Sequence, residues 1–172
     1  LTPIAEGKRV TIACDAGPLP AAMKGDGTRL RQILVNLLGN AVKFGPVGST
    51  ARLTLQADGG RLRIEVADEG PGVPMPERER LFSDFVRLAP GSVEGTGLGL
   101  AISARLTDLM GGRIGVGDNP EGRGALFWVE LPILDPPAVV AALGPSRPLR
   151  LLAVDDAPAN LSVLRALLSP TG

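Results

Sequence analysis

Several residue types that build common catalytic and structural sites are missing or scarce in this chain. Its 172 residues include no histidine, no tyrosine and a single cysteine, Cys14. Without histidine, the chain cannot contain a histidine-based catalytic triad or a histidine-ligated metal. One cysteine cannot form an intrachain disulfide, which fits a reducing, cytoplasmic location.

Neither an excess of charge nor a long apolar run is present. Eighteen basic residues balance eighteen acidic ones, so no overall positive field favours nucleic acid, and we predict no nucleic-acid partner. No apolar run is long enough to span a bilayer, although a longer parent protein could still be membrane-anchored. The start, Leu1-Thr2-Pro3, has neither an initiating Met nor a leader pattern, and we expect the chain to be part of a longer protein.

The composition that is present suits one packed domain plus a fragment. Hydrophobic residues make up 44% of the chain and aromatic residues 3%, so the core must consist of Leu, Val, Ile and Ala. We place the main domain at residues 1–133. Residues 134–148 are rich in Pro and Ala and read as a linker. Residues 149–172 then read as one strand followed by one helix of a second domain.

Periodicity predicts a strong amphipathic helix at residues 28–44 after a first strand at 8–14. Asp26 or Thr28 can cap this helix, and Gly45-Pro46 ends it. Its apolar positions recur at helical spacing: Leu30, Ile33, Leu34, Leu37, Leu38 and Ala41.

The rest of the main domain alternates strands and helices. The turn Asp58-Gly59-Gly60 predicts a hairpin between two strands. A second helix should place Ile102, Leu106, Leu109 and Met110 on one face. The predicted ranges are strands at 50–57 and 61–67, a short helix near 77–85, a loop at 86–97, a helix at 98–110, and strands near 113–117 and 124–131.

A polar stripe runs along the first helix. Asn36, Asn40 and Lys43 are four and three residues apart, so they share one face. Asparagine is a poor residue inside a helix because its side chain competes for backbone hydrogen bonds. The stripe can be an ordinary solvated face, or a face that binds Mg²⁺ and phosphate through amide oxygens and an ammonium group.

Asp68 and two glycines, Gly70 and Gly72, directly follow an apolar strand. The segment can be a simple tight turn, since Asp, Gly and Pro are common there. Alternatively, the carboxylate, which only accepts hydrogen bonds, can bind the exocyclic amine of adenine. The glycines would then let a flat base approach the backbone.

A glycine-rich stretch opens the second helix, and it consists of Gly95, Thr96, Gly97, Leu98, Gly99 and Leu100. Backbone N–H groups at a helix start bind anions. The spacing is neither the dinucleotide-binding GxGxxG nor a P-loop. A flexible connector is the alternative, but three alternate glycines leading into an amphipathic helix favour a phosphate site.

Taken in order, the segments NLLGNAVKF, VADEGPGV, LFSDFVR, GTGLGLAI, MGGRIGV and GALFWVELP resemble the catalytic ATP-binding domain of sensor histidine kinases. The resemblance covers about residues 6–132. It matches an Asn box at 36–44, a first glycine box at 68–72, a Phe box at 82–87 and a second glycine box at 95–100. It implies an α/β fold of the Bergerat type, a two-layer sandwich whose mixed, mostly antiparallel sheet carries helices on one face.

The resemblance also implies roles for individual residues. Asn40 would ligate Mg²⁺, Asn36 would lie on the same ion–phosphate face, and Lys43 would contact phosphate. Asp68, with Gly70 and Gly72, would bind adenine. Arg87 would reach or orient the γ-phosphate. The stretch from Gly95 to Leu100 would surround the phosphates.

Related ATPases on this fold place a glutamate four residues before the metal-binding asparagine, where this chain has Asn36. An amide cannot act as a general base, so the site should pass the γ-phosphoryl group to a protein rather than to water. The acceptor would be a histidine on an upstream dimerisation domain absent from this chain. A hydrolytic ATPase and a non-catalytic nucleotide-binding module remain the alternatives.

The last segment, LRLLAVDDAPANLSVLRALL, resembles the start of a response-regulator receiver domain. There Asp155 and Asp156 would match the acidic pair that helps to bind Mg²⁺. A strand-to-helix turn with Asp caps is the alternative. A receiver would make the parent a hybrid kinase that passes phosphate on, to its receiver or to a response regulator.

Overall fold

The computed structural model describes residues 7–19, 25–84, 86 and 97–133. This part of the chain contains five strands, two α-helices and two single-turn 3₁₀ helices, and residues 7 and 8 are also helical. In chain order they are β1 (Thr11–Ala16), α1 (Gly27–Phe44), β2 (Thr50–Asp58), β3 (Arg61–Ala67), the 3₁₀ helices Met75–Glu77 and Arg80–Phe82, α2 (Gly99–Leu109), β4 (Arg113–Asp118) and β5 (Ala125–Pro132).

The five strands form one mixed sheet in the order β1-β2-β3-β5-β4. β1 pairs with β2 in parallel, and the other three pairings are antiparallel. The expected two-layer α/β architecture with a mixed, mostly antiparallel sheet is therefore confirmed. β3 lies at the centre of the sheet, and the Asp68 loop (residues 68–74) begins where β3 ends.

The hairpin between β2 and β3 turns on two residues. Asp58 pairs with Arg61 across the ladder, and Gly59 and Gly60 have φ values of 54° and 74°. A two-residue turn with positive φ at both positions matches the twist of the flanking strands, and glycine adopts it without steric cost. The predicted hairpin is confirmed.

Alternation along the central strands gives the sheet one buried face. Leu53 on β2, Ile64 on β3 and Val129 on β5 are among the fully buried side chains, and they pack beneath the helices. Burying an aliphatic side chain of this size stabilises a fold by roughly 1.5–3 kcal/mol. These contacts make the sheet a firm base for the loops at its end.

α1 forms as its sequence predicts. Asp26 caps it, accepting a hydrogen bond from the backbone N–H of Arg29 at 3.0 Å. Thr28 is already inside the helix. At the other end, Gly45 donates its N–H to the carbonyl of Ala41 at 2.9 Å. Of the six predicted apolar positions, Leu30 is partly buried against the core and the other five are buried.

The opposite face of the sheet carries a polar and aromatic cluster. Arg63 forms ion pairs with Glu65 at 2.7 Å and with Glu130 at 2.6 Å. Its guanidinium group lies 5.0 Å from the centre of the Trp128 ring. That ring covers Gly115, where any Cβ would collide with it. This face therefore has its own side-chain packing, and the core lies on the helical side.

Three sequence expectations need correction. The predicted helix at 77–85 is two separate 3₁₀ turns within its described part, because each closes a single turn through i→i+3 bonds such as Glu77 N–H to Pro74 O at 2.9 Å. The first strand begins at Thr11 rather than residue 8, since residues 7 and 8 are helical and Arg9 has a φ of 54°.

The buried face of α2 also differs from the predicted one. Ile102 is 39% exposed and Leu109 63% exposed, whereas Ala101, Ser103 and Thr107 are buried. Leu106 and Met110 do pack against the core, as expected. The helix is rotated because its contact with α1 runs through the small polar residue Ser103, described below, rather than through a purely apolar stripe.

None of the helices within the described ranges is both long and apolar enough to cross a membrane. The predicted linker at 134–148 and the strand and helix of the second domain at 149–172 lie outside the described residues.

Candidate nucleotide-binding site

Asp68 is a buried carboxylate at the end of the central strand, with 4% of its surface exposed. Its Oδ1 accepts hydrogen bonds from the backbone N–H groups of Gly70 at 2.8 Å and Ala125 at 3.2 Å. Burial raises its pKa above the ordinary value of 3.8, although the two hydrogen bonds oppose that rise. Both backbone donors use one carboxylate oxygen, so Oδ2 is the atom left to meet a ligand.

Glycines allow the backbone to close around this carboxylate. A Cβ on Gly70 would lie 2.8 Å from Asp68 Oδ1 and 3.0 Å from the carbonyl oxygen of Phe44. Gly72 has a φ of 77°, and a Cβ there would lie 3.2 Å from the carbonyl oxygen of Gly124. Packing against neighbouring protein atoms therefore requires glycine at positions 70 and 72, and the approach of a flat base to them stays a prediction.

Two further residues hold Asp68 and were missed in the sequence. Gly124 has a φ of 121°, and a Cβ there would lie 1.8 Å from the carbonyl oxygen of Asp68. Asn119 donates its side-chain N–H to that same carbonyl at 2.9 Å. Gly124 could have been found in the sequence as a glycine directly before β5. Asn119 gave none, because it is 51 residues away in sequence.

Asn36 links the two helices. Its Nδ2 donates to the carbonyl oxygen of Gly99 at 3.1 Å and to Ser103 Oγ at 3.2 Å. Ser103 in turn donates to Gly99 O at 2.9 Å. Since the amide nitrogen is bound to α2, the amide oxygen of Asn36 is the atom that can take part in a polar site.

Asn40 and Lys43 lie on the same side of α1 and are partly buried. The ammonium group of Lys43 lies 5.0 Å from the centre of the Phe44 ring, a cation–π distance. All three residues of the polar stripe, Asn36, Asn40 and Lys43, are thus partly buried.

The start of α2 has the features of an anion site. Gly97 has a φ of 73°, and α2 begins at Gly99 after Leu98, which has no side chain that can cap the helix. Leu100 is partly buried against the core. The N–H groups of a first helical turn lack intrahelical partners and carry partial positive charge.

Contacts from the middle and the end of α1 bring three predicted motifs together. Asn36 reaches Gly99 at the start of α2, and the carbonyl of Phe44 contacts Gly70 in the Asp68 loop. The other predicted site residues lie outside the described part of the chain: Arg87, Gly95, Thr96, Asp155 and Asp156.

Arg78, which the sequence did not single out, braces the Asp68 loop. Its Nε donates to the carbonyl of Val73 at 3.0 Å, and its second guanidinium nitrogen pairs with Asp118 at 2.5 Å. It thereby ties the loop to the end of β4.

A cavity of about 430 Å³ lies on the other side of the β3 end. Ala67 and Glu69 line it, and side chains alternate along a strand, so it lies behind the Asp68 carboxyl rather than on the helical side. We therefore do not assign the nucleotide to this cavity.

The residues present fit a nucleotide with its metal. Asp68 offers an acceptor, and protein atoms packed around Gly70 and Gly72 leave no room for a side chain at either position. The amide oxygens on α1 are ligands that Mg²⁺ accepts together with phosphate oxygens. A buried acceptor, an amide-bearing helix and a glycine-led helix start define a nucleotide-binding α/β domain.

Comparison with known proteins agrees with this class. The family described as "Histidine kinase-, DNA gyrase B-, and HSP90-like ATPase" matches residues 25–135. The chain belongs to this family, and within it to the catalytic ATP-binding domains of sensor histidine kinases.

Individual relatives are histidine kinases and two-component proteins. The chain is 36% identical to the sensory/regulatory protein RpfC of Xanthomonas campestris, with 100% of this chain and 29% of RpfC covered. It is 42% identical to the sensor histidine kinase AruS of Pseudomonas aeruginosa, with 83% of this chain and 15% of AruS covered. The chain thus spans less than a third of either relative.

Solved structures show the same fold. Full-length ShkA in complex with AMPPNP matches with a TM-score of 0.67 and 48% identity, covering 76% of this chain and 27% of that one. The catalytic domain of the histidine kinase ThkA matches with a TM-score of 0.67 and 26% identity, covering 77% of this chain and 84% of the ThkA chain.

Proposed function

We propose that this domain binds Mg·ATP between α1 and the segment that leads into α2, and passes the γ-phosphoryl group to a histidine on a separate dimerisation domain. The observation that carries the proposal is the buried Asp68 carboxylate, with both backbone donors on one oxygen. The glycines that follow it, which carry no side chain, are expected to let a flat base approach the backbone.

Asp68 supports selection of adenine. The exocyclic amine of adenine donates a hydrogen bond to the carboxylate. Guanine has a carbonyl oxygen at that position, so an acceptor would lie opposite an acceptor. A buried acceptor left opposite another acceptor loses its hydrogen bond and its hydration together. We therefore assign Asp68 as the adenine-selecting residue, with Gly70 and Gly72 beneath the base.

Asn36, Asn40 and Lys43 would form the phosphate side of the site. Asn40 would ligate Mg²⁺, and Lys43 would offset phosphate charge. Bound there, Mg²⁺ would neutralise charge on the β- and γ-phosphate oxygens. Asn36 holds the start of α2 through its nitrogen, so its oxygen would face the metal–phosphate side.

The start of α2 would hold the phosphates through backbone N–H groups at Gly97, Leu98, Gly99 and Leu100. Gly95, Thr96 and Arg87 stay predicted members of this site, the first two around the phosphates and Arg87 at the γ-phosphate. Such a site acts mainly by positioning and charge neutralisation.

Transfer to protein is favoured over hydrolysis because Asn36 stands where a general base would be needed. An amide does not take a proton at neutral pH. The chain has no histidine, so the acceptor must be on another domain, and we expect no autophosphorylation of this chain alone. A hydrolytic ATPase or a non-catalytic binding module is the competing assignment.

The relatives also suggest a hybrid arrangement. RpfC is named a sensory/regulatory protein, and Asp155 and Asp156 fit the acidic pair of a receiver domain. We propose that the parent protein is a hybrid kinase whose receiver, or a separate response regulator, takes the phosphate onward. A cytoplasmic location of this domain fits that role.

The decisive experiment compares Asp68→Asn with Glu69→Gln in binding ATP and GTP. Glu69 is adjacent, but exposed, and accepts a hydrogen bond from the N–H of Thr50 at 3.1 Å, which glutamine can also accept. We expect Asp68→Asn to weaken Mg·ATP binding by about tenfold or more, the equivalent of ~1.4 kcal/mol, and Glu69→Gln to leave it unchanged. Equal affinity of both variants for ATP would contradict the role of Asp68.

The reaction is tested separately. Mixed with ATP and a histidine-containing dimerisation domain, the chain should phosphorylate that histidine and should release little phosphate without it. Sustained hydrolysis by the chain alone would favour the ATPase assignment. Binding without transfer to any such domain would favour the non-catalytic module.

A further inference from the structure

Lys8 contacts the end of α1 although it lies more than thirty residues earlier in the chain. Its Nζ donates to the carbonyl oxygens of Val42 at 3.4 Å, Lys43 at 2.5 Å and Gly45 at 3.0 Å. A lysine ammonium has three N–H donors and no acceptor. All three of its donors therefore meet backbone oxygens at one helix terminus.

This helix end needs such a partner. The last carbonyls of an α-helix have no intrahelical donor, and they carry the negative end of the helix dipole. The N–H of Gly45 turns back to Ala41, and Pro46 after it has no N–H to donate. A cation at that position is both a hydrogen-bond donor and a favourable charge.

The backbone around Lys8 is itself held in place. The carbonyl of Lys8 accepts a hydrogen bond from Gly48 at 3.0 Å, and Thr11 donates to the carbonyl of Ser49 at 3.0 Å. Arg9, between these contacts, has a φ of 54°, a conformation that non-glycine residues seldom adopt. The ammonium group thus projects from a defined segment rather than from a free end.

The helix end held by Lys8 borders the nucleotide site. Lys43, whose carbonyl Lys8 binds, carries the ammonium group assigned to phosphate. The next carbonyl, that of Phe44, packs against Gly70, and the N–H of Gly70 holds the Asp68 carboxylate. A shift of the last turn of α1 would therefore alter the spacing between the phosphate side and the adenine side.

We propose that Lys8 is a positioning residue that fixes the last turn of α1 against the Asp68 loop and thereby sets the affinity for Mg·ATP. The inference rests on the proposed function, because it assumes that nucleotide binds across these two elements. Lys8 acts through the helix end and does not itself contact the ligand.

The test uses the full chain with three substitutions. Lys8→Met keeps the length and removes the ammonium group. Lys8→Arg keeps the charge, but its planar fork cannot direct donors at three converging carbonyls as an ammonium group can. Arg9→Met is the matched control, since it removes one positive charge from the neighbouring exposed residue.

Three quantities are measured: the Kd for Mg·ATP, the free energy of unfolding in urea, and amide hydrogen exchange in the last turn of α1 without nucleotide. Lys8→Met should raise the Kd roughly fivefold to tenfold, equivalent to ~1–1.4 kcal/mol. It should also speed exchange in the last turn. Lys8→Arg should lie between wild type and Lys8→Met, and Arg9→Met should stay within about twofold of wild type.

A purely structural role has a different outcome. If the rise in Kd is no larger than the unfolded fraction accounts for, Lys8 is a stabilising residue alone and the proposal is wrong. The same follows if folded Lys8→Met binds as tightly as Arg9→Met. If Lys8→Met does not fold, the comparison of Lys8→Arg with Arg9→Met decides the question by the same criteria.

Failure of the two proposals can be told apart. If wild-type chain binds no Mg·ATP, the proposed function fails, and the positioning role fails with it, whatever the exchange data show. If wild type binds and the Lys8 variants match it, the positioning role fails and the nucleotide site stands.

Discussion

At the scale of single residues, Asp68 shows how a fold prepares a carboxylate for one task. Two backbone N–H groups from different parts of the chain hold the same oxygen atom. Gly124 lets the backbone approach so closely that no side chain fits, and burial raises the pKa of the group. Burying the charged carboxylate costs free energy. Under the proposed function, a hydrogen-bond donor of the bound ligand would offset that cost.

The raised pKa of Asp68 predicts a pH-dependent stability difference from Asp68→Asn. Because the folded chain holds this proton more tightly than the unfolded chain, protonation favours the folded state. We expect the free energy of unfolding of the wild type, relative to the variant, to fall as pH rises above the ordinary pKa of 3.8 and to level off above the raised pKa. Asparagine can still accept both backbone hydrogen bonds.

Urea unfolding of both proteins at a series of pH values, without nucleotide, measures this difference. A relative gain in wild-type stability over the same rise in pH would mean that the hydrogen bonds outweigh burial and that the pKa is lowered.

At the scale of elements, the two helices are joined by a small polar network rather than by apolar packing alone. Asn36, Ser103 and the carbonyl of Gly99 bond to one another, and Ser103 is fully buried. Such a network fixes the start of α2 in one position relative to α1. Under the proposed function, this fixed position would also hold the N–H groups that bind phosphate.

A double-mutant cycle of Asn36→Ala and Ser103→Ala tests this network. We expect each single change to lower the free energy of unfolding by about 1 kcal/mol. The double variant should lose about 0.5–1 kcal/mol less than the sum, because the two residues share a hydrogen bond. The helix propensity gained by replacing Asn with Ala cancels in the cycle. Additive effects, measured by urea unfolding, would show that the two side chains act independently.

At the scale of the whole molecule, stability rests on one apolar layer between α1 and the sheet. Leu37 on α1 is 0% exposed and belongs to the same cluster as Ile64 and Val129. The polar and aromatic face on the other side of the sheet adds ion pairs at partly exposed positions, which stabilise folds less than a close-packed core does. The site therefore depends on the helical layer for its rigidity.

Leu37→Ala should accordingly lower the free energy of unfolding by about 2–5 kcal/mol, through lost burial and the cavity left behind. Val35→Ala on the same helix is the control, since Val35 is 40% exposed and its truncation should change stability by less than about 0.5 kcal/mol. Urea denaturation of the two variants measures both. Similar losses of unfolding free energy in both variants would mean that Leu37 does not belong to the stabilising core.

Much of this fold could be predicted from local patterns. The limits of α1, its cap at Asp26 and the two-glycine hairpin all follow from residues close together in the chain. The buried face of α2 could not be predicted, because Ile102 and Leu109 have the right spacing but face outward. Which face of a short helix is buried depends on the element packed against it, and that element, α1, is distant in sequence.

Local patterns predicted most of the strands and helices, and the order of the motifs predicted the class of site. Asn36, Asp68 and the glycines at 70 and 72 stay predicted members of that site, identified by motif and spacing. The folded structure then established which atoms are engaged: Asn36 through its nitrogen, Asp68 through one oxygen, and the end of α1 through Lys8. These contacts join residues tens of positions apart, such as the 63 between Asn36 and Gly99, and local periodicity carries no information about such pairs.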